Sequence, residues 1–308
     1  MDSVDIVNML AFIGFLLCLL GIIGNSMSVY VLSKLNSKPL RLLKYLNVVD
    51  IGLLVVICFA LMMVVLGMER LVSDFTLVLV LRCIAPLFST LQTFGTYLTV
   101  LIAFVRCLAV AMPFRFSTCM RDTVQNKLLI AVAVFSLLFS VPLFLLWTPT
   151  ISWSSFDDIQ MVVAFHLKYL SQVFLCILPI LIIVICNVIL AVSRCRMRSF
   201  TSQNNQCRSP DRGNRRGAFQ LTCLVIAITA MFTTTHGLVG VYKVVVLASD
   251  SPQVSLQVVC FSVLMTIINS ATNFIFYCLI GSEFRTTMIS LCKKPCIRRN
   301  RPMPVSSV

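Results

Sequence analysis

The chain has 308 residues, of which 59% are hydrophobic and only 12% are charged. Water-soluble domains carry roughly 25% charged residues, so this composition excludes an ordinary soluble enzyme and predicts a helical membrane protein. The net charge of +14 does not indicate nucleic acid as a partner, because basic residues commonly flank membrane helices on their cytoplasmic side.

The 14 cysteines and two histidines show none of the close Cys and His spacings that are typical of metal sites. Most of these cysteines lie inside apolar runs, where a thiol behaves as a small hydrophobic group. We therefore expect no metal ion and no other cofactor. The chain also lacks a nucleophile and base in a pattern typical of an enzyme.

Hydropathy predicts an all-α protein, a bundle of seven transmembrane helices followed by a short amphipathic eighth helix. A helix needs about 20 largely apolar residues to cross a bilayer. The predicted spans are residues 9–33, 42–67, 79–111, 126–147, 167–193, 217–247 and 254–280. Residues 1–8 are then a short extracellular N-terminus. Residues 281–308 form the amphipathic helix, which would lie along membrane lipid, and a basic cytoplasmic tail.

The distribution of charge predicts the orientation of the spans. Most of the 25 Lys and Arg residues lie in the first, third and fifth connections and in the tail. The positive-inside rule therefore places the N-terminus outside the cell and the tail in the cytoplasm. We expect a multi-pass protein of the plasma membrane. The basic segment 194–216 can meet anionic lipid, dock a cytosolic protein, or do both.

Polar side chains inside the spans are costly unless they have partners. Asp50 in span two lies near the depth of the amide side chains in spans one and seven, when turns are counted from the cytoplasmic ends. We expect an intramembrane polar network of Asn25, Asp50, Asn269, Ser270 and Asn273. It is either a purely structural set of hydrogen bonds or a site for Na⁺ or a proton.

Several further residues are candidates for function. Arg106 lies about two turns inside span three, deeper than a snorkelling arginine requires. Pro179 predicts a kink in span five, and His236 marks a similar weak point in span six. Cys292 and Cys296 lie near the membrane in a basic setting, where they are either free thiols or sites of palmitoylation.

In chain order, these residues resemble the conserved motifs of rhodopsin-like G-protein-coupled receptors. The matching positions are Gly24-Asn25, Leu46 with Asp50, Arg106 with Ala109, Val110 and Pro113, Pro179, Phe232, Asn273 with Tyr277, and Phe284-Arg285. Residues 97–113 and 269–285 are most similar to invertebrate neuropeptide receptors of the FMRFamide type. The resemblance covers essentially the whole chain.

The resemblance implies a receptor that binds an extracellular ligand and activates a heterotrimeric G protein. Arg106 and Tyr277 would be the switch residues at the cytoplasmic face. Pro179, Phe232 and His236 would be the points about which helices pivot. A transporter or channel is a remote alternative, because the chain shows no internal repeat and few charges inside its spans.

The resemblance also implies a ligand pocket in the outer half of the bundle, although ordinary packing is the alternative for each residue. The candidates are Phe88, Gln92, Thr96, Tyr169, Gln172, Tyr242 and Lys243. Receptors for biogenic amines carry an aspartate at the position of Phe88, so an amine ligand is disfavoured. Acidic outer connections favour a basic or amidated peptide, and a chemosensory receptor of the same fold is the alternative.

The chain departs from the family pattern at several motifs. Val105 and Cys107 stand where an acid and a tyrosine normally flank the arginine. Leu238 and Phe274 stand where spans six and seven normally carry helix-bending prolines, and the cysteine of the second outer connection is missing. We expect weak restraint of the resting state, elevated basal signalling and a straighter span seven.

Overall fold

The computed structural model describes residues 3–35, 40–112, 116, 120–144, 166–203, 212–247 and 252–293. These residues form helices and no strand. The helices are α1 (Ser3–Leu35), α2 (Arg41–Met68), α3 (Asp74–Ala111), α4 (Asp122–Phe144), α5 (Leu178–Gln203), α6 (Arg212–Leu247), α7 (Pro252–Ile280) and α8 (Ser282–Lys293). Two π-helical turns, His166–Leu170 and Val173–Ile177, precede α5. The predicted all-α class is confirmed.

Among the described residues, seven helices are long and apolar enough to cross a membrane, as the hydropathy predicts. Several helices extend beyond the predicted spans. α3 begins at Asp74 instead of residue 79, because the Ser73 hydroxyl caps it by accepting a hydrogen bond from Thr76 N. α4 likewise begins at Asp122. A span predicted from hydropathy leaves out such polar first turns, although polar residues with a helix cap form helix readily.

α3 lies at the centre of the bundle and packs against α2, α4, α5 and α6. α1 packs against α2, α7 and α8, and α6 packs along α7. α4 packs mainly against α3 and lies at the periphery. Its side chains Ile130 and Leu138 are 62% and 64% exposed, which is typical of a surface that faces lipid.

The two ends of the bundle differ in their exposed charged side chains. Glu69 and Asp74 are exposed where α2 ends and α3 begins, with the exposed Arg70 between them, and we call this the acidic end. Arg121 and Arg285 are exposed at the opposite end, which we call the basic end. There, Arg41 of α2 forms an ion pair with Asp122 of α4, with 3.5 Å between Nη2 and Oδ1.

Candidate functional site

A polar network joins α1, α2 and α7 in the middle of the bundle. Asp50 is only 3% exposed. Asn273 Nδ2 donates a hydrogen bond to Asp50 Oδ2 over 2.7 Å. Asn25 Nδ2 donates to the backbone oxygen of Ser270 over 2.9 Å. The structure thus joins four of the five predicted network residues in two hydrogen-bonded pairs.

A cavity of about 20 Å³ lies beside Asp50. Its lining residues are Leu46, Asp50, Leu53, Gln92, Gly95, Thr96, Thr99, Ile228, Phe232, His236, Thr266, Asn269, Ser270 and Asn273. Asn269, the fifth predicted network residue, therefore faces this cavity. A volume of roughly 10–15 Å³ holds one water-sized species, and carboxylate, amide and hydroxyl oxygens are the ligands that hard cations prefer. The donor set and the volume both fit one small cation.

A second polar contact lies nearer the basic end and was missed by the sequence analysis. Tyr277 is 1% exposed, and its hydroxyl accepts a hydrogen bond from Asn47 Nδ2 over 2.8 Å. Asn47 also donates to the backbone oxygen of Leu43 over 2.6 Å. The available signal was spacing, because Asn47 precedes Asp50 by three residues and residues three apart share a helix face.

A larger cavity, of about 280 Å³, lies at the basic end. Its lining residues are Leu32, Leu35, Leu40, Arg106, Gly217, Ala218, Gln220, Leu221, Leu224, Tyr277, Gly281, Glu283 and Phe284. The two predicted switch residues, Arg106 and Tyr277, thus face one cavity without bonding to each other. Arg106 Nη2 is buried and makes no hydrogen bond to any described residue. A buried polar atom without a hydrogen bond is costly, so an oxygen atom that reached this nitrogen would be stabilised.

Towards the acidic end, two side chains from the π-helical segment bond to the backbone of α6. Gln172 Nε2 donates to Gly240 O over 3.2 Å. The Cys176 thiol donates to His236 O, also over 3.2 Å. A Cβ atom on Gly240 would overlap the Cys176 sulfur, so this close approach requires glycine. These contacts join the π-helical segment to α6 in the half of the bundle nearer the acidic end.

Towards the basic end, side chains join α5 directly to α6. Asn187 Nδ2 donates to Thr229 Oγ1 over 3.1 Å. About two turns further along α5, Arg194 Nη1 donates to Cys223 Sγ over 3.5 Å. The Arg194 guanidinium also lies 4.0 Å from the centre of the Phe219 ring, a cation–π contact. We call these three contacts and the two nearer the acidic end the α5–α6 contacts.

Two of the three predicted pivot residues, Phe232 and His236, line the small cavity beside Asp50. Phe232 is 2% exposed and stacks on the His236 ring with centroids 3.9 Å apart. Pro179 is buried directly after the π-helical turn Val173–Ile177. Proline removes one helical hydrogen bond, and π-helical turns occur often at functional sites.

The candidate ligand residues on α3 separate into two environments. Gln92 and Thr96 line the small cavity beside Asp50. Phe88 instead packs against the apolar cluster of α1, α2 and α7 that contains Cys18 and Leu54. Of these three residues, Gln92 and Thr96 therefore line a cavity, whose volume suits a water-sized species.

The remaining candidate ligand residues lie along α6 and the π-helical segment. Tyr242 packs against Phe261 of α7 with ring centroids 4.9 Å apart. Lys243 is half-buried. Tyr169 is 47% exposed, and Gln172 takes part in the α5–α6 contacts. The two candidate palmitoylation sites, the side chain of Cys292 and all of Cys296, lie outside the described residues.

Comparison with solved structures identifies the architecture. The chain is similar to squid rhodopsin, with a TM-score of 0.69 and 15% identity over 94% of this chain and 86% of that chain. The chain has the rhodopsin fold. With this fold and seven helices long and apolar enough to cross a membrane, it is a multi-pass membrane protein. Identity this low shows the fold alone.

Sequence comparison adds a family likeness over part of the chain. The sequence model of the family described as "Serpentine type 7TM GPCR chemoreceptor Srw" matches residues 149–295. The matched region includes the α5–α6 contacts and the α7 residues that bond to Asp50 and Asn47. No curated protein sequence matches the chain. The predicted resemblance to G-protein-coupled receptors is supported, whereas the finer resemblance to neuropeptide receptors stays a prediction.

Proposed function

We propose that the chain is a chemosensory G-protein-coupled receptor of the plasma membrane, with its basic end in the cytoplasm. The observation that carries this proposal is the cavity of about 280 Å³ at the basic end. Arg106 lines this cavity, and its Nη2 makes no hydrogen bond to any described residue. A segment of a G protein that brought backbone carbonyls or a carboxylate into this cavity would supply the missing partner. The rhodopsin fold and the match to the Srw chemoreceptors support this proposal.

The α5–α6 contacts provide the element that a ligand would bias. A ligand bound in the outer half contacts the segment that carries Gln172 and Cys176, and it can loosen the bonds of this segment to α6. Each such hydrogen bond contributes about 0.5–1.5 kcal/mol, so two packing arrangements can differ by only a few kcal/mol. Ligand shifts this equilibrium only by its difference in affinity between the two states.

The proposal is tested by expression in reporter cells for each class of G protein. A panel of volatile and water-soluble odorants is applied to the wild type, to Arg106→Ala and to Arg82→Ala. Arg82 is exposed on the acidic-end half of α3 and is the matched control. We expect at least one compound to activate the wild type and Arg82→Ala but not Arg106→Ala. An equal response of Arg106→Ala at equal surface expression would refute the role of the cavity.

A second candidate is a receptor for a basic or amidated peptide. Glu69 and Asp74 are exposed in the first outer connection, where Arg70 is exposed as well. Asp157, Asp158 and Asp250 lie in the other two predicted outer connections, outside the described residues, and they supply the charge that would attract such ligands. Amidated peptides of the FMRFamide type are the probe. If charge reversal at Asp157 and Asp158 leaves peptide potency unchanged, electrostatic recognition by this connection is excluded.

The network around Asp50 has a proposed role of its own, the binding of Na⁺ in the small cavity. The carboxylate of Asp50 would be the anionic ligand, and Ser270, Asn269 and Asn273 offer the neighbouring oxygens. The alternative is a purely structural network, in which Asn273 and Ser270 serve only to satisfy Asp50. Sodium-dependent stability separates the two.

Transport is a remote alternative for a bundle with so few charges inside its membrane spans. If the chain were a transporter, liposomes that contain it would take up labelled ions or odorants, and liposomes without it would not. The receptor proposal expects no flux in this assay. It also expects no catalytic turnover, in keeping with a fold and a partial family match that are those of receptors.

A further inference from the structure

α6 and α8 meet at the rim of the basic-end cavity. The hydroxyl of Ser282, the first residue of α8, donates a hydrogen bond to Gln220 Oε1 of α6 over 2.6 Å. This distance is at the short end of the range for O–H···O bonds. Gln220 lines the cavity, and so do Gly281 and Glu283, the two neighbours of Ser282 in the chain. The bond therefore joins two walls of the cavity directly.

The same two walls also approach each other one turn away along α6. Gly217 precedes Gln220 by three residues, so the two lie on one face of the helix. A Cβ atom placed on Gly217 would be 3.3 Å from Glu283 Oε1. Since glycine has no side chain, the backbone of α6 comes close to the α8 carboxylate at this level. This face of α6 and the first turn of α8 are thus close together along a full turn of α6.

The first turn of α8 is fixed to the end of α7. Arg285 Nη1 donates hydrogen bonds to Cys278 O over 2.9 Å and to Leu279 O over 2.6 Å. Phe284 is 3% exposed, and its ring packs against Tyr277 of α7 with centroids 5.4 Å apart. α8 also packs against α1. The start of α8 is therefore anchored to the bundle and offers α6 a fixed point of attachment.

Arg106 faces the same cavity but does not hold its walls together through Nη2. This nitrogen makes no hydrogen bond to any described residue. The preceding residue, Val105, has no charged or polar side-chain atom with which the guanidinium could pair. A restraint on the cavity therefore has to come from other side chains, and the Ser282 hydroxyl and the Gln220 amide are in position to supply it.

We propose that the Ser282–Gln220 hydrogen bond is a latch, which holds α6 against α8 and keeps the basic-end cavity closed on this side in the resting state. A helix is about 10–12 Å across with its side chains. A helical segment of a partner therefore cannot pass between two side chains that are bonded over 2.6 Å. When the bond breaks, α6 can move away from α8 and the cavity widens. The effect of the latch on signalling, unlike the latch itself, rests on the proposed function.

The latch is tested by measuring the distance between α6 and α8 in the full chain in phospholipid nanodiscs. Spin labels are attached to keto-bearing unnatural residues in place of Ala218 and Ile289, both exposed, so that the 14 native cysteines remain. Pulsed electron–electron double resonance then gives the distribution of distances. Ser282→Ala removes the donor, and Gln220→Met removes the acceptor while keeping the length of the side chain. Ser282→Thr keeps the hydroxyl.

We expect one distance in the wild type and in Ser282→Thr, and a second, longer distance in Ser282→Ala and in Gln220→Met. Ser290→Ala is the matched control, because its hydroxyl donates within α8 to Thr287 O, and it should give the wild-type distribution. The proposal is overturned if either Ser282→Ala or Gln220→Met gives the wild-type distribution. It is also overturned if the double variant has more of the longer distance than either single variant, because the two side chains would then act separately. Each variant removes one half of the bond, so either decides alone should the other fail to fold.

Reporter cells test the consequence for signalling. The loss of one hydrogen bond changes an equilibrium constant about two- to tenfold, so Ser282→Ala and Gln220→Met should each raise basal activity by about that factor at equal surface expression. Ser282→Thr and Ser290→Ala should leave it unchanged. If the longer distance forms and basal activity does not rise, regulation is refuted and the latch stands. A chain that never signals contradicts the proposed function, and the distance measurement still decides the latch.

Discussion

Gly24 of α1 lies directly against the side chain of Phe274 of α7. A Cβ atom placed on Gly24 would be 3.0 Å from Phe274 Cβ and 3.1 Å from its Cγ. Phe274 stands where related receptors carry a helix-bending proline, and α7 continues as α-helix through this position. Its ring also meets Phe284 of α8 edge-on, with centroids 6.2 Å apart. Packing thus takes the place of a hinge, and glycine makes room for it.

Gly24→Ala tests this packing. The added methyl group is closer to Phe274 than real Cβ atoms normally come, and overpacking costs about 1–3 kcal/mol. We expect the thermal midpoint of the purified chain to fall by several degrees. Gly52→Ala is the control, because its nearest neighbour atom would be 3.6 Å away. Phe274→Ala added to Gly24→Ala should recover part of the loss; no coupling between the two would contradict the account.

Asp50→Asn tests the proposed sodium site. In the wild type, replacing N-methylglucamine by Na⁺ at constant ionic strength should raise the thermal midpoint by about 3 °C when Na⁺ is ten times its dissociation constant. The variant keeps the shape of the side chain but loses its charge, so the shift should disappear. Asp74→Asn, at an exposed carboxylate, should keep the shift. A purely structural network predicts equal midpoints in both salts for every variant.

Val105→Asp tests the missing restraint next to Arg106. An acid at this position would form a local ion pair with the guanidinium. Exposed ion pairs contribute up to about 1 kcal/mol of stabilisation. We expect basal G-protein activity to fall about two- to five-fold at equal surface expression. Val105→Asn is the matched neutral control and should change basal activity little. Equal effects of the two substitutions would show that shape or polarity is responsible, not charge.

Arg194→Gln tests the α5–α6 contacts at the basic end. The change removes the cation–π contact with Phe219 and the bond to Cys223, a loss of about 1 kcal/mol. Such a loss shifts a two-state equilibrium roughly five-fold, so basal reporter activity should rise by about that factor. Arg121→Gln, the control, alters an exposed arginine at the same end and should leave basal reporter activity unchanged. A fall in activity would show that Arg194 serves the G protein and not the resting state.

The number of membrane-spanning helices could be predicted from hydropathy, because a run of about 20 apolar residues is long enough to cross a bilayer as a helix. The start of α3 did not, since Ser73 and Asp74 are polar and their cap is a local hydrogen bond that hydropathy ignores. The π-helical turns before Pro179 were also not predicted. Side-chain periodicity does not distinguish one π-helical turn from α-helix, and tertiary packing decides between them.

The depth of polar residues predicted which side chains would meet around Asp50, because helices of known length place each residue at a definite level. The α5–α6 contacts could not be predicted in this way. Two of them end on backbone oxygens of Gly240 and His236, which carry no sequence signal.

The most direct test of the account is nucleotide exchange by purified receptor in phospholipid vesicles. The measured quantity is the rate at which each class of heterotrimeric G protein binds a non-hydrolysable GTP analogue. We predict that the wild type and Arg82→Ala accelerate exchange on at least one class, without ligand or with the odorant panel, and that Arg106→Ala does not. No acceleration by the wild type on any class, or equal acceleration by Arg106→Ala, would contradict the account.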